Sequence, residues 1–264
     1  MTKLSFSGHG ILRKGIPLML CAFLALGLSG CAGTTHTDDA GYKSSAVADP
    51  LEPLNRGVFA FNNVLDMAII EPVAKVYLAL FPPFMRDAIQ HFMQNLRAPL
   101  AAANNLLQGD FGGAGVAVAR FAINTTAGIG GLVDVASAQG LAYEPEDFGQ
   151  TLAVWGVGDG FYLVLPVIGP STLRDTAGMV ADVYADPVRI IAENTEEEWI
   201  YYTRVGIEGL DTRARLMKGI EDLRNNSLDF YAAVRSAYAQ RRGSLIHDEA
   251  ATGALAIPDY DEEN

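Results

Sequence analysis

Few residues in this 264-residue chain combine the types and spacing that bond chemistry requires. Histidines stand at 9, 36, 91 and 247. A Ser-His-Asp triad within the main body would have to use His91, on a stretch that reads as a structural helix. Ser171 follows Gly169-Pro170, but residue 173 is Leu where a nucleophile elbow needs Gly. Glu144, Glu146 and Asp147 form the densest acidic group, and paired carboxylates can do acid–base work. Beside Pro145 and before Phe148-Gly149 they read instead as a solvated turn. The glycine run Gly156-Val-Gly-Asp-Gly160 lacks the Lys-Ser/Thr that ends a phosphate loop and the third glycine of a dinucleotide fingerprint. Two cysteines, at 21 and 31, exclude a multi-Cys metal cluster, and no convergent ligand set is visible. We therefore expect no metal, no dissociable cofactor and no enzyme. Nineteen Lys and Arg against 31 Asp and Glu give a formal charge of −12, which disfavours nucleic-acid binding.

What remains is a set of cations in greasy surroundings. Arg56, Arg86, Arg97, Arg120 and Arg174 all sit near apolar runs. A guanidinium in such a setting must find either an acid of the fold or an outside anion such as a lipid phosphate. The adjacency Arg174-Asp175 fits the internal pairing. Arg120 and Arg174 are the candidates for headgroup contact. Gly128, Gly130 and Gly131, with Gly156, Gly158 and Gly160, are candidate flexible positions that allow a sharp bend or a close helix approach.

The start of the chain is an address. Lys3, Arg13 and Lys14 precede an apolar run over residues 16–28, followed by Leu28-Ser-Gly-Cys31. This is the layout of a secretory signal, and its apolar run is shorter than the roughly 20 residues a bilayer-spanning helix needs. Leu-Ser-Gly-Cys resembles a bacterial lipobox, which implies cleavage before Cys31 and lipidation of that residue. Ala32 rather than Asp follows, which points to the outer membrane. Loss of Lys3, Arg13 and Lys14 and of no acid takes the formal charge from −12 to −15. Residues 31–48 are polar and read as a flexible leash, spanning roughly 23 Å as a coil.

From residue 49 the chain alternates short apolar runs with Gly, Pro and single charges, and helical periodicity dominates. Ile89, Phe92, Met93 and Leu96 make one stripe. Pro99 is placed to start a new helix carrying Leu100, Ala103, Leu106 and Leu107, with Gly109 ending it in a left-handed conformation. Thr195 is placed as an N-cap ahead of Glu196, Glu197 and Glu198, before a long stripe from Ile200 to Leu223. Asn225-Asn226-Ser227 interrupts it, and Phe230, Val234 and Tyr238 resume it. No alternation is long enough for a substantial sheet. The tail, 243–264, is acidic and reads as disordered. Runs of 8–12 apolar residues suit either the core of a soluble helical protein or burial in one leaflet, and periodicity alone favours the soluble core.

Several stretches together resemble the MlaA (VacJ) family of outer-membrane lipoproteins. They are Asp49-Pro-Leu-Glu-Pro-Leu-Asn-Arg56, Phe61-Asn-Asn-Val-Leu-Asp66, Glu71-Pro-Val-Ala-Lys75 and Asn104-Asn-Leu-Leu-Gln-Gly-Asp110. Next come Arg120-Phe-Ala-Ile-Asn-Thr-Thr-Ala-Gly-Ile-Gly-Gly-Leu-Val-Asp134 and Glu146-Asp-Phe-Gly-Gln-Thr-Leu-Ala-Val-Trp-Gly-Val-Gly-Asp-Gly160, continuing through Leu163-Val-Leu-Pro166 to Gly169-Pro-Ser-Thr-Leu-Arg-Asp175. The match runs in order over residues 49–242.

The resemblance implies an all-α, ring-like bundle of amphipathic helices lying in the periplasm-facing inner leaflet of the outer membrane around a central amphipathic channel. It reverses the soluble-core preference. It implies removal of mislocalised phospholipids from the outer leaflet, maintaining lipid asymmetry, with a trimeric porin and a periplasmic lipid-binding carrier of the Mla pathway as partners. The alternatives are a phospholipase, which would have to use His91 or Ser171, and a passive porin-associated scaffold.

Overall fold

The structure, a computed structural model, describes residues 47–247. Cys31, the signal segment 1–30, residues 31–46 of the leash and residues 248–264 of the tail lie outside the described residues. Helices occupy most of the described chain, with one small two-stranded sheet, so the all-α class holds.

α1, Glu52–Leu65, opens with Pro53 in its first turn, where a missing N–H costs nothing. It runs into a π-helical turn, Asp66–Ile70, and on into α2, Glu71–Leu80. Pro82-Pro83 breaks the chain and starts α3, Pro83–Gln108. α3 does not stop at Pro99. Pro99 lies inside it, with no N–H to offer the preceding turn. The helix continues because Ala98, Ala101 and Ala102 on either side of that gap are buried, the last two packing with Ala117 of α4, Phe111–Thr126. Gly109 adopts φ +84° as expected, and the Asp110 side chain caps α4 by accepting from Gly112 N at 3.0 Å.

A tight turn over residues 127–133 leads to the single-turn α5, Val135–Ala138. α6, Phe148–Val154, is capped by Asp147 and precedes the strands. β1, Tyr162–Leu165, pairs antiparallel with β2, Gly169–Thr172, with Tyr162 opposite Thr172 and Leu165 opposite Gly169. The free edge of β1 is satisfied by Ala48 O, which accepts from Tyr162 N at 2.9 Å, and by side chains rather than by a third strand. Asn55 Nδ2 donates to Tyr162 O at 2.9 Å and its Oδ1 accepts from Val164 N at 2.9 Å. Two turns further along α1, Asn62 repeats the motif on Leu165 O and Val167 N. Paired amides at a seven-residue spacing therefore stand in for strand backbone.

Thr172 caps α7, Leu173–Ala185, which crosses α6 at two glycines. A Cβ on Gly178 would lie 2.5 Å from Gly149 Cα, so only glycine permits that approach. α8, Pro187–Asn194, is capped by Asp186. Thr195 does not cap the following helix. It closes α8, donating its hydroxyl to Ile191 O at 3.0 Å, because Glu196 at φ +61° turns the chain before α9, Glu198–Arg215, begins. α10, Met217–Asn226, and α11, Phe230–Ile246, complete the body. Ser244 is buried on α11, so helix continues past residue 243.

Candidate functional site: a polar interior inside an apolar exterior

The helices around α3 are sorted opposite to those of a water-soluble protein. On α3 the buried side chains include Arg86, Asn95, Asn104 and Asn105, while Phe84, Met85, Leu106 and Leu107 are exposed. On α4, Arg120 and Asn124 are buried while Phe111, Val118 and Phe121 are exposed. α2 buries only Ala74 and Tyr77 and exposes Val73, Val76 and Leu80. The 100–107 stripe read from the sequence is real, but Leu106 and Leu107 point away from the protein's interior. Exposing a large apolar side chain instead of burying it forgoes about 1.5–3 kcal/mol. Over the eight residues Val73, Val76, Leu80, Phe84, Leu106, Leu107, Phe111 and Phe121 the loss in water is of order 10 kcal/mol, comparable to the whole net stability of a domain. A second apolar phase must cover this surface. No described helix is long and apolar enough to cross a membrane.

The polar interior is held by three carboxylate hubs. In the first, Asp134 accepts from Arg120 Nη2 at 2.8 Å, Asn124 Nδ2 at 3.0 Å, Ser137 N at 3.1 Å and Ser137 Oγ at 2.5 Å. Burial alone would raise this carboxyl, but the Ser137 and Arg120 hydrogen bonds outweigh it and hold it well below the usual carboxylate range. Arg120 also donates to Ser137 Oγ and Leu141 O. In the second hub, Arg174 pairs with Asp175 at 2.9 Å and Asp159 at 2.6 Å, and Tyr238 OH and Arg242 close on Asp175 as well. Burial opposes ionisation of Asp175, and the Arg242, Tyr238 and Arg174 groups together overcome it. Arg242 further grips Asp147 with both arms, at 2.6 and 2.7 Å. In the third, Asp49 accepts from Asn55, Tyr231 and Arg235, joining the start of the body to α11. Above it Tyr162 is fully buried, and burial pushes its phenol up to about 12.

These hubs change the reading of several residues. Arg120 and Arg174, the candidates for headgroup contact, are buried and already engaged by internal acids, so the internal pairing is the one the fold uses. Asp147, in the turn before α6, caps that helix and also holds Arg242. Glu146 accepts from Gln108 at 2.7 Å. Ser171 is buried, with its Oγ bonded to Thr176 Oγ1 at 2.9 Å, and His91 is half-buried on α3. Among the described residues no group of three or more His, Cys, Asp or Glu is placed to hold a metal ion.

Four of the six glycine candidates take a left-handed backbone conformation. Gly130, Gly131, Gly156 and Gly160 have φ between +70° and +98°. A Cβ on Gly131 would lie 2.6 Å from the Asn95 side chain, and one on Gly128 would lie 2.6 Å from Asn124 O. Gly158 has open space around it and an ordinary φ. Close helix approach is found instead at Gly149 and Gly178, which the sequence reading did not single out.

Between α3 and α4 lies a small cavity of about 20 Å³ with a mixed lining, in which Asn95, Arg120 and Asn124 stand beside Ala98, Ala101 and Ala117. That is room for a water molecule. Asn95 Oδ1 beside it is buried with no hydrogen-bond partner among the described residues. The arrangement supplies hydrogen bonding and charge.

Comparison with known proteins fits this inverted polarity. A profile of the family described as "MlaA lipoprotein" matches residues 47–245. The chain is 40% identical over 246 residues to the intermembrane phospholipid transport system lipoprotein MlaA of Escherichia coli K12, covering 89% of this chain and 90% of that protein. It is 32% identical over 232 residues to the protein of the same description from Haemophilus influenzae, covering 85% and 88%. An uncharacterized protein of Rickettsia bellii is 39% identical over 201 residues, covering 76% and 77%. A solved structure from work on the structural basis for maintenance of bacterial outer membrane lipid asymmetry superposes with a TM-score of 0.67 at 39% identity, covering 75% of this chain and 99% of that one. The chain belongs to the MlaA lipoprotein family.

Proposed function

We propose that this protein is an outer-membrane lipoprotein that removes mislocalised phospholipids from the outer leaflet and passes them on for retrograde transport. The observation that carries the reading is the polarity inversion of α2, α3 and α4, with Asn and Arg inside and Phe, Leu and Val outside. Such a body lies in acyl chains and offers a headgroup the only polar surface available at that depth. The helices encircle a central amphipathic channel in the periplasm-facing leaflet, and acyl chains on Cys31 add a second hold on the membrane. At about 0.8 kcal/mol per buried methylene, two or more chains make that hold stable. A net charge of −15 after cleavage gives anionic lipid little reason to adsorb to the surface, so membrane contact is apolar and acyl-driven.

The lipid moves intact. Direction comes from the partners: a periplasmic lipid-binding carrier that accepts the lipid, and a trimeric porin beside which the lipoprotein sits. The test is outer-leaflet phospholipid, measured by an impermeant amine-reactive label, in cells with and without the gene. A rise on deletion, reversed by the wild-type gene, is expected. An unchanged level with defective porin assembly would make the protein a scaffold, and release of fatty acid from phospholipid by purified protein would make it a phospholipase.

A further inference from the structure

Among the arginines of the described residues, eleven have an acid within 4.0 Å. Arg241 lacks one and is exposed. Arg86 lacks one and is only 8% exposed. A guanidinium cannot shed its proton to escape this situation. Asp87, next to it in sequence, and Asp211 are turned to another arginine. Asp87 and Asp211 both accept from Arg215, at 3.1 and 2.9 Å, and Asp211 also accepts from Tyr77 OH at 2.8 Å. Arg86 Nε is sealed from solvent with no acceptor. The two Nη groups also have no acceptor, yet they are not among the sealed atoms, so they keep contact with open space.

Its position adds to this. Arg86 is in the first turn of the 26-residue α3, which has no side-chain cap and no acid in that turn. The positive end of the helix therefore reinforces the unbalanced cation. Immediately around it in sequence, Leu80, Phe84 and Met85 are exposed, at 69, 72 and 39%. A bare cationic fork with exposed apolar side chains close to it in the chain is complementary to an amphiphile that carries an anion at its head. The planar fork matches the geometry of phosphate oxygens, which accept two parallel hydrogen bonds from it.

We propose that Arg86 binds the phosphodiester of a membrane phospholipid, with the acyl chains running along the Leu80, Phe84 and Met85 surface. This deepens the transport reading and rests on it for the identity of the lipid, but the binding is tested separately on purified protein.

The experiment uses full-length acylated protein in nonionic detergent, stripped of lipid. The probes are dihexanoyl-phosphatidylglycerol, dihexanoyl-phosphatidylethanolamine, inorganic phosphate and dihexanoylglycerol, which has the chains without the phosphate. Arg86→Met is expected to weaken both phospholipids by about ten-fold or more, as befits loss of a charge-assisted bidentate contact, and to leave dihexanoylglycerol unchanged. Arg86→Lys, which keeps the charge but not the fork, falls between. Arg241→Met binds like wild type. Equal binding of phospholipid by wild type and Arg86→Met overturns the proposal. So does inorganic phosphate binding as tightly as the phospholipids, which would make this a free-anion site. A second readout needs no ligand: because Arg86→Met removes an unpaired buried charge, the lipid-free variant melts at or above the wild-type temperature, and a clear drop would reveal an internal partner and overturn the proposal. Deletion cells with normal outer-leaflet phospholipid would sink the transport reading while leaving the binding result intact.

Discussion

If Arg120 serves the fold through Asp134, removing either partner should cost stability and removing both should cost less than the two together. Asp134→Ala leaves a guanidinium whose side chain is 6% exposed, with only Ser137 Oγ and Leu141 O to accept from it. Breaking a buried pair in this way costs about 3–5 kcal/mol. Arg120→Met leaves a carboxylate still served by Asn124 Nδ2 and by the Ser137 N–H and hydroxyl, so the cost is about 1.5–3 kcal/mol, one hydrogen bond to a charged group. The double variant carries no stranded charge, and the coupling should reach about 2 kcal/mol. For a body of this size each kcal/mol moves the melting temperature by about 2–4 °C, so Asp134→Ala should melt roughly 10 °C below wild type in detergent. The pH dependence gives a second check. Asp134 is held below its unfolded value of about 3.9, so its contribution is complete above about pH 5 and declines as pH falls below 4. The gap between wild type and Asp134→Ala should therefore narrow between pH 5 and pH 3. A drop of less than 2 °C for Asp134→Ala, or strict additivity in the cycle, would refute the claim that Arg120 is a structural residue.

Three further outcomes are expected. Gly178→Ala would drive a methyl into the backbone of Gly149, so α6 and α7 must separate; a loss of about 3 kcal/mol, the upper end for overpacking, should appear in thermal melts. Val76→Asp with Leu80→Asp puts two charges into the apolar exterior, and should shift the protein toward the soluble fraction in flotation assays without lowering its melting temperature in water-rich detergent. Cys31→Ser should remove the protein from outer-membrane fractions, and full retention there would count against the lipid anchor.

The elements were largely legible in the sequence, because periodicity marks a helix whichever side its stripe faces. The side was not. Leu100, Ala103, Leu106 and Leu107 form a stripe by spacing, but spacing carries no sign, and only the burial of Asn104 and Asn105 beside them reveals which way it points. Pro99 has the character of a helix start because proline is poorly tolerated inside helices; the packing of Ala101 and Ala102 on Ala117 overrides that preference. Thr195 had the right residue type for an N-cap, and the positive φ of Glu196 moved the boundary. The arginines divide in the same way. Arg174-Asp175 could be read from adjacency, whereas Arg120 with Asp134, and the isolation of Arg86, depend on contacts that the chain makes only after folding.

The small, polar character of what this fold conceals has a calorimetric consequence. Heat capacity rises on unfolding in proportion to newly wetted apolar area and falls with newly wetted polar area. Among the described residues the largest fully buried side chains are Tyr162, Gln150, Asn55, Asn104, Thr151, Thr172 and Ser171, with no large aliphatic residue in that group. The increment per residue should thus lie below the usual 12–15 cal/mol/K, flattening the curve of stability against temperature and moving any cold transition well below freezing.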